Sequence, residues 1–255
     1  MILRTEGTNC DEEAFFAFEK AGGNPKMVHI NDLRNKKESF DNFNVLVLPG
    51  GFAYGDDVVS GKILAVELTS FFEKELKKFI ERKDTVVIGI CNGFQVLVRT
   101  GLLPFRNIGE MDATLTNNDS GHFECRWIHL KIEENSKSPI LKNIGGQIVS
   151  YQVAHGEGKF YATDAVMDKI EKEGLVALRY VDESGNPTQN YPENPNGALH
   201  AIAGITDPTG RIFGLMPHPE RFVLEEQHPN FKRMKKVTPQ GLPIFENIIT
   251  FIQSQ

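Results

Sequence analysis

The sequence predicts an α/β fold: an open, mainly parallel sheet with flanking helices and an antiparallel extension. Three observations carry this. Two apolar runs, Val45 to Leu48 and Val86 to Ile90, each end in a glycine-containing turn, as strands covered on both faces do. Between them Ile63 to Arg82 repeats apolar residues at helical spacing (Leu64, Leu68, Phe71, Phe72, Leu76, Phe79, Ile80), giving the order strand, helix, strand. Residues 121–180 differ: Trp127 to Ile132, Gln147 to Val153 and Leu175 to Val181 read as strands with few helices between them, so antiparallel strands are expected at one edge.

The remaining elements follow in order. Ile2 and Leu3 begin a strand that stops at Arg4, shorter than a central strand normally is, so the strand is truncated here or the native start lies upstream. Asp11 to Lys20 reads as a helix stopped by Gly22 and Gly23, and Met27 to Ile30 as a short strand. Phe94 to Arg99 is helix-like. Residues 182–197, rich in Asp, Asn, Pro and Gly, read as a long loop. Ala201 to Ile205 and Ile212 to Met216 form a last strand pair leading into Pro217-His218-Pro219-Glu220, and Ile244 to Ile252 closes the chain as a helix. No repeat or linker interrupts the sequence, and residues 1–255 read as a single domain.

Composition narrows the function. A net charge of −6 and short, mixed charge clusters argue against a nucleic-acid binder, which carries a basic face. Lys232, Arg233, Lys235 and Lys236 form the one dense basic patch, which reads as ordinary surface, with a partner or phosphate contact as the alternative. The three cysteines (Cys10, Cys91, Cys125) are an odd number without metal-ligand spacing, so neither a disulfide framework nor a metal site is expected. With no secretory signal and no run of 18 apolar residues, a soluble cytoplasmic protein is expected.

The chemistry centres on Gly89-Ile90-Cys91-Asn92-Gly93. Glycines two before and two after a nucleophile, between strand and helix, are the pattern of a nucleophile elbow. The small residues permit a sharp turn, and the helix N-terminus favours the thiolate. Such a cysteine needs a base. Among the histidines His218 stands out, because it follows a buried strand and Glu220 lies two residues on. In a segment held extended by Pro217 and Pro219, both side chains share one side, so Glu220 orients the imidazole. Oxyanion donors are expected from the Asn92 N–H and from the Pro49-Gly50-Gly51-Phe52 turn, at Gly51. Taken alone that turn also reads as an ordinary strand end. Cys10 and Cys125 are expected to be non-catalytic.

These residues resemble the class I (triad) glutamine amidotransferases, whose marks are the elbow with Gln95 four residues on, the Pro-Gly-Gly turn and the late His-Pro-Glu. Six separated motifs narrow the resemblance: Gly50 to Asp56, Cys91 to Gln95, Ala154 to Gly158, Tyr180 to Asp182, Asn194 to Gly197 and Met216 to Arg221. Together with Gly7 to Asp11 they are similar to one branch, the glutaminase subunits of phosphoribosylformylglycinamidine synthase, over nearly the whole chain. The resemblance implies a flavodoxin-like sheet and one amidotransferase domain over residues 1–255. It implies glutamine hydrolysis with Cys91 as nucleophile, His218 as proton carrier and Glu220 holding it. Phe52, Gln95, Asn118, Ser120 and Phe123 would help bind glutamine. His155, Glu157 and Asn196 are candidates for docking or signalling to a partner. Partners implied are a synthetase subunit and a small third bridging subunit. ATP and Mg would bind the synthetase, since this chain lacks a phosphate-binding loop of the Walker type and needs no cofactor of its own. Two other readings stay open: another hydrolase on the same scaffold (a cysteine peptidase or a γ-glutamyl hydrolase), and a catalytically idle scaffold subunit.

Overall fold

The computed structural model describes residues 1–255. In chain order the strands are β1 (Ile2–Arg4), β2 (Met27–His29), β3 (Val45–Leu48), β4 (Val86–Ile90), β5 (Ala113–Thr116), β6 (Glu124–Ile132), β7 (Ile148–His155), β8 (Lys159–Ala162), β9 (Val176–Tyr180), β10 (Ile202–Thr206) and β11 (Ile212–Leu215). The helices are α1 (Asp11–Lys20), α2 (Ile30–Arg34), α3 (Lys62–Phe71), α4 (Glu73–Glu81), α5 (Asn92–Arg99), α6 (Asp164–Lys172) and α7 (Leu242–Gln253).

Nine strands form one sheet in the order β2-β1-β3-β4-β11-β10-β9-β6-β7. Pairing is parallel from β2 to β11 and antiparallel from β11 to β7, so the expected parallel sheet with an antiparallel extension is present. All five residues of β4 are buried, which requires cover on both faces and explains its uninterrupted apolar run. β5 and β8 pair separately, and β5 packs on α5. That small sheet anchors the two segments that run from β5 to β6 and from β7 to β8. No helix is long and apolar enough to cross a membrane.

Several elements differ from the sequence reading. The helix expected from Ile63 to Arg82 is two helices, broken at Phe72 (φ −125°). The break turns Phe72 into the core against Phe40, at 6.0 Å between ring centroids, and Phe40 in turn meets Phe79 at 6.1 Å. β2 ends at His29 because the His29 Nδ1 accepts the Asn31 N–H and caps α2. β5, β8 and α6 were not expected. The first strand is short yet internal, flanked by β2 and β3, and Ile2 and Leu3 are fully buried.

The elbow glycines act by close approach and not by special dihedrals. Neither Gly89 nor Gly93 has positive φ; the strained residue is Cys91 itself, at φ 52°. A Cβ on Gly93 would lie 1.8 Å from the Leu48 carbonyl oxygen, and one on Gly89 would lie 2.5 Å from the Gly93 carbonyl oxygen. Helix α5 therefore sits directly on β3 and β4. Gly93→Ala is expected to force these backbones apart and to destabilise the fold by about 1–3 kcal/mol, the range of core overpacking, measured by urea denaturation.

Candidate active site

The parallel order β3-β4-β11 brings the segments after three strands together at their carboxyl ends. After β3 comes Gly50-Gly51, after β4 comes Cys91, and after β11 comes His218. Gly50 marks the junction: a Cβ there would lie 2.8 Å from His218 Cε1, 3.1 Å from Cys10 Sγ and 3.4 Å from Cys91 Cβ. Cys91 precedes α5, so Asn92 opens the helix with its N–H free of any intrahelical acceptor. Gly51 (φ 135°) is held by its neighbour, as the Phe52 N–H donates to the Gly7 carbonyl at 2.9 Å. A Cβ on Gly51 would lie 2.7 Å from the Asn9 amide nitrogen, so only glycine fits. The residues of both expected oxyanion donors, Gly51 and Asn92, thus lie at the junction.

The His218–Glu220 pair forms by a different route from the one expected. The segment is not extended: Pro219–Arg221 is a 3₁₀ turn, with the Arg221 N–H donating to the His218 carbonyl at 3.3 Å. The turn folds the carboxylate back on the ring, with Glu220 Oε1 at 2.5 Å from His218 Nδ1. Both side chains are buried, and His218 Nε2 has no hydrogen-bond partner within the protein. Burial disfavours the imidazolium, but the Glu220 carboxylate beside the ring, joined by Cys91 when it ionises, outweighs it, so His218 holds its proton well above the ordinary histidine range.

Cys91 lies on a cleft of about 590 Å³, which Gly51, Phe52, Gln95, Asn118, Phe123, His155 and Glu157 also line. The thiol is buried and donates to the Ala154 carbonyl at 3.6 Å. Phe52 and Phe123 are half-exposed and stack with centroids 6.3 Å apart. The Gln95 amide is largely used within the protein: its nitrogen donates to the Glu157 carbonyl (2.7 Å), and its oxygen accepts from Asn92 Nδ2 (3.1 Å). Asn92 Nδ2 also donates to Asp56 (3.0 Å), whose carboxyl is raised by burial.

One expected glutamine contact, Ser120, does not line the cleft. Ser120 lines a neighbouring pocket with Asp119, Tyr191 and Asn194, and its hydroxyl accepts the His122 N–H at 3.3 Å. Asn196 is fully buried and His155 nearly so, so neither side chain is exposed on the surface of this chain. Cys10 and Arg221 were missed as neighbours of the site. Arg221 donates to Cys10 Sγ at 3.1 Å, and Cys10 Sγ, His218 and Glu220 offer polar atoms all within 4.8 Å of one another. The signals were the Gly7 to Asp11 motif and the arginine directly after Glu220.

Residues 1–252 match the model of the CobB/CobQ-like glutamine amidotransferase domain. The chain belongs to that family. It is 44% identical over 250 residues to phosphoribosylformylglycinamidine synthase subunit PurQ of Dehalococcoides mccartyi, across 98% of this chain and 95% of that one. To the PurQ subunit of Methanococcus maripaludis it is 38% identical over 252 residues, across 98% of this chain and 91% of the other. Among solved structures it is similar to a chain in the structure of PurLQS from Thermotoga maritima, with TM-score 0.74 and 31% identity over 98% of this chain and 96% of that one. The fold is that of the class I glutamine amidotransferases.

In this amidotransferase the His218–Glu220 contact makes a pH prediction with a definite sign. Glu220→Gln removes the main charge that raises His218 while burial still lowers it, so the ring must titrate at lower pH than in the wild type. The folded-state pKa is raised, so the stability this pair adds is present below pH ~6.5 and is lost as pH rises through the folded value. NMR titration of the His218 ring in both proteins is expected to show the downward move; an unmoved titration would refute the pairing.

Proposed function

We propose that the chain is the glutaminase subunit of a phosphoribosylformylglycinamidine synthase and works as one amidotransferase domain over residues 1–255. The observation that carries this is the meeting at Gly50 of a strained cysteine and a carboxylate-held histidine, with Cys91 and Gly51 on one cleft. The near full-length similarity to PurQ subunits supports it.

Cys91 attacks the side-chain carbonyl carbon of glutamine as the thiolate, with His218 carrying the thiol proton as imidazolium. The Gly51 and Asn92 N–H groups receive the oxyanion of the tetrahedral intermediate. His218 gives its proton to the departing nitrogen, the C–N bond breaks, and ammonia leaves a glutamyl thioester on Cys91. The now neutral His218 takes a proton from water, which attacks the thioester; glutamate leaves and the thiol is restored. The sum is glutamine plus water to glutamate plus ammonia. Glu220 fixes the ring so that one nitrogen faces the reacting atoms throughout. Phe52 and Phe123 border the site, and Asn118 holds its wall.

The ammonia serves a separate synthetase subunit, which binds ATP, Mg and formylglycinamide ribonucleotide and forms the new C–N bond. A small third subunit bridges the two. The chemistry of this chain rests on its side chains and backbone alone, without a cofactor or metal of its own, in the cytoplasm.

Ammonia release from glutamine is to be measured for the wild type and for Cys91→Ala, each alone and with the synthetase subunits, ATP, Mg and ribonucleotide. The expected result is turnover that rises with the partners and falls by about 10⁴-fold or more in Cys91→Ala, as loss of a nucleophile does. An idle scaffold or a different hydrolase would give no glutamine turnover in the full mixture, while the synthetase still worked on free ammonia.

A further inference from the structure

His155 is the buried titratable group that the reaction above leaves unused. It ends β7, next to the Ala154 carbonyl that accepts the Cys91 thiol. Its ring is confined: a Cβ on Gly158 would lie 2.4 Å from His155 Cε1 and 2.5 Å from Nδ1. Nδ1 lies 3.1 Å from Asn118 Oδ1, and Nε2 lies 3.3 Å from Asn196 Nδ2.

Surrounding groups fix both amides and therefore the tautomer. Asn118 Nδ2 donates to the His122 and His155 carbonyls, both at 2.8 Å, and its Oδ1 accepts the Gly158 N–H at 3.0 Å. That leaves Oδ1 toward the ring, so His155 Nδ1 must carry the proton. Asn196 Oδ1 accepts the Ala198 N–H at 3.0 Å, and its Nδ2 donates to the Tyr180 hydroxyl at 3.0 Å, so Nε2 of the ring must accept. Burial and the nearby charge of His218 push the imidazole down to about 3, in keeping with a ring that holds one proton. The groups at its two nitrogens are uncharged amides. The same strand reaches the other side of the site, where the Gln152 carbonyl accepts the His218 N–H at 2.8 Å.

We propose that His155 is a positioning residue for the reaction at Cys91: its imidazole clamps the cleft wall, residues 117–123, to β7 and to the loop 194–197, and so fixes where the substrate amide sits. This rests on reading the cleft as the glutamine site. The clamp does not touch the reacting atoms, so its loss disturbs substrate placement more than the chemical step.

The test uses His155→Phe, which keeps the ring's bulk and removes both hydrogen bonds, assayed in the complex reconstituted with the synthetase subunits. The expected result is a KM for glutamine raised about tenfold, the scale of one or two lost hydrogen bonds, with kcat changed by less than about threefold. Calorimetry of glutamine binding to Cys91→Ala, with and without His155→Phe, is expected to show the same loss of affinity. Asn196→Leu should act in the same direction, and the double variant should add little, because both break one network. If His155→Phe does not fold, Tyr180→Phe removes only the hydroxyl that holds Asn196 and is expected to raise KM about two- to threefold. A fall in kcat at constant KM, or unchanged affinity in the calorimeter, overturns the clamp. Failure of Cys91→Ala to bind glutamine, together with no turnover by the wild-type complex, overturns the glutaminase reading and the clamp with it.

Discussion

The site depends on one steric constraint, the absence of a side chain at Gly50. Three segments that follow parallel neighbours, β3, β4 and β11, can meet only because nothing occupies the space between Cys91 Cβ, Cys10 Sγ and the His218 ring. The same economy operates one layer down, where Gly93 lets α5 rest on the Leu48 carbonyl. Close approach of backbones sets the height of Cys91 above the sheet, and that height decides whether its sulfur reaches both the cleft and the histidine. The positive φ of Cys91 is sustained by the packing beneath it: β4 is fully buried and α5 is buried along most of its length. Gly50 and Gly93 thus serve the geometry of a residue that neither of them touches chemically.

Charge is handled with similar economy. A buried carboxylate–imidazolium pair carries a desolvation penalty of several kcal/mol, which attraction offsets only when the geometry is tight. The 3₁₀ turn supplies that geometry between partners only two residues apart in sequence. Arg221, next in the chain, adds a positive group beside Cys10 and within reach of Glu13, 3.8 Å away. His155, close by, is kept uncharged. One histidine at the site is therefore set to carry charge and the other to carry none, and the difference comes from their partners: a carboxylate for His218, two amides for His155.

What the sequence displayed follows from how each feature is encoded. β3 and β4 were legible because strands covered on both faces must be apolar at every position. The elbow and the His-Pro-Glu segment were legible because their chemistry depends on residues two apart. The turn that joins His218 to Glu220 was not, since two prolines favour an extended chain as readily as a 3₁₀ start. β5 and β8 leave little trace in the sequence because each is four residues long and pairs with a distant partner, Thr116 with Lys159. The break at Phe72 is set by the pocket around Phe40, which no helical period reveals. Ser120 shows the same limit at the site: position along a motif tells which residue lies near the cleft, but not which pocket its side chain lines.

The antiparallel half of the sheet gains its purpose from this last point. A parallel sheet alone places reactive groups at its carboxyl edge but leaves them open on one side. Here β7 runs back toward that edge and supplies a carbonyl to each partner, Ala154 to the Cys91 thiol and Gln152 to the His218 N–H. Where β7 ends, the chain passes through His155 to Gly158 and into β8, which returns to pair with β5 and stacks Phe160 on Phe94 of α5 at 6.2 Å. The wall of the cleft is thereby tied to the same helix that carries Cys91 at its start. Nucleophile, base and wall gather at one sheet edge, and a shift of β7 by one residue would exchange the faces of its side chains and misplace the wall and the two carbonyls it supplies.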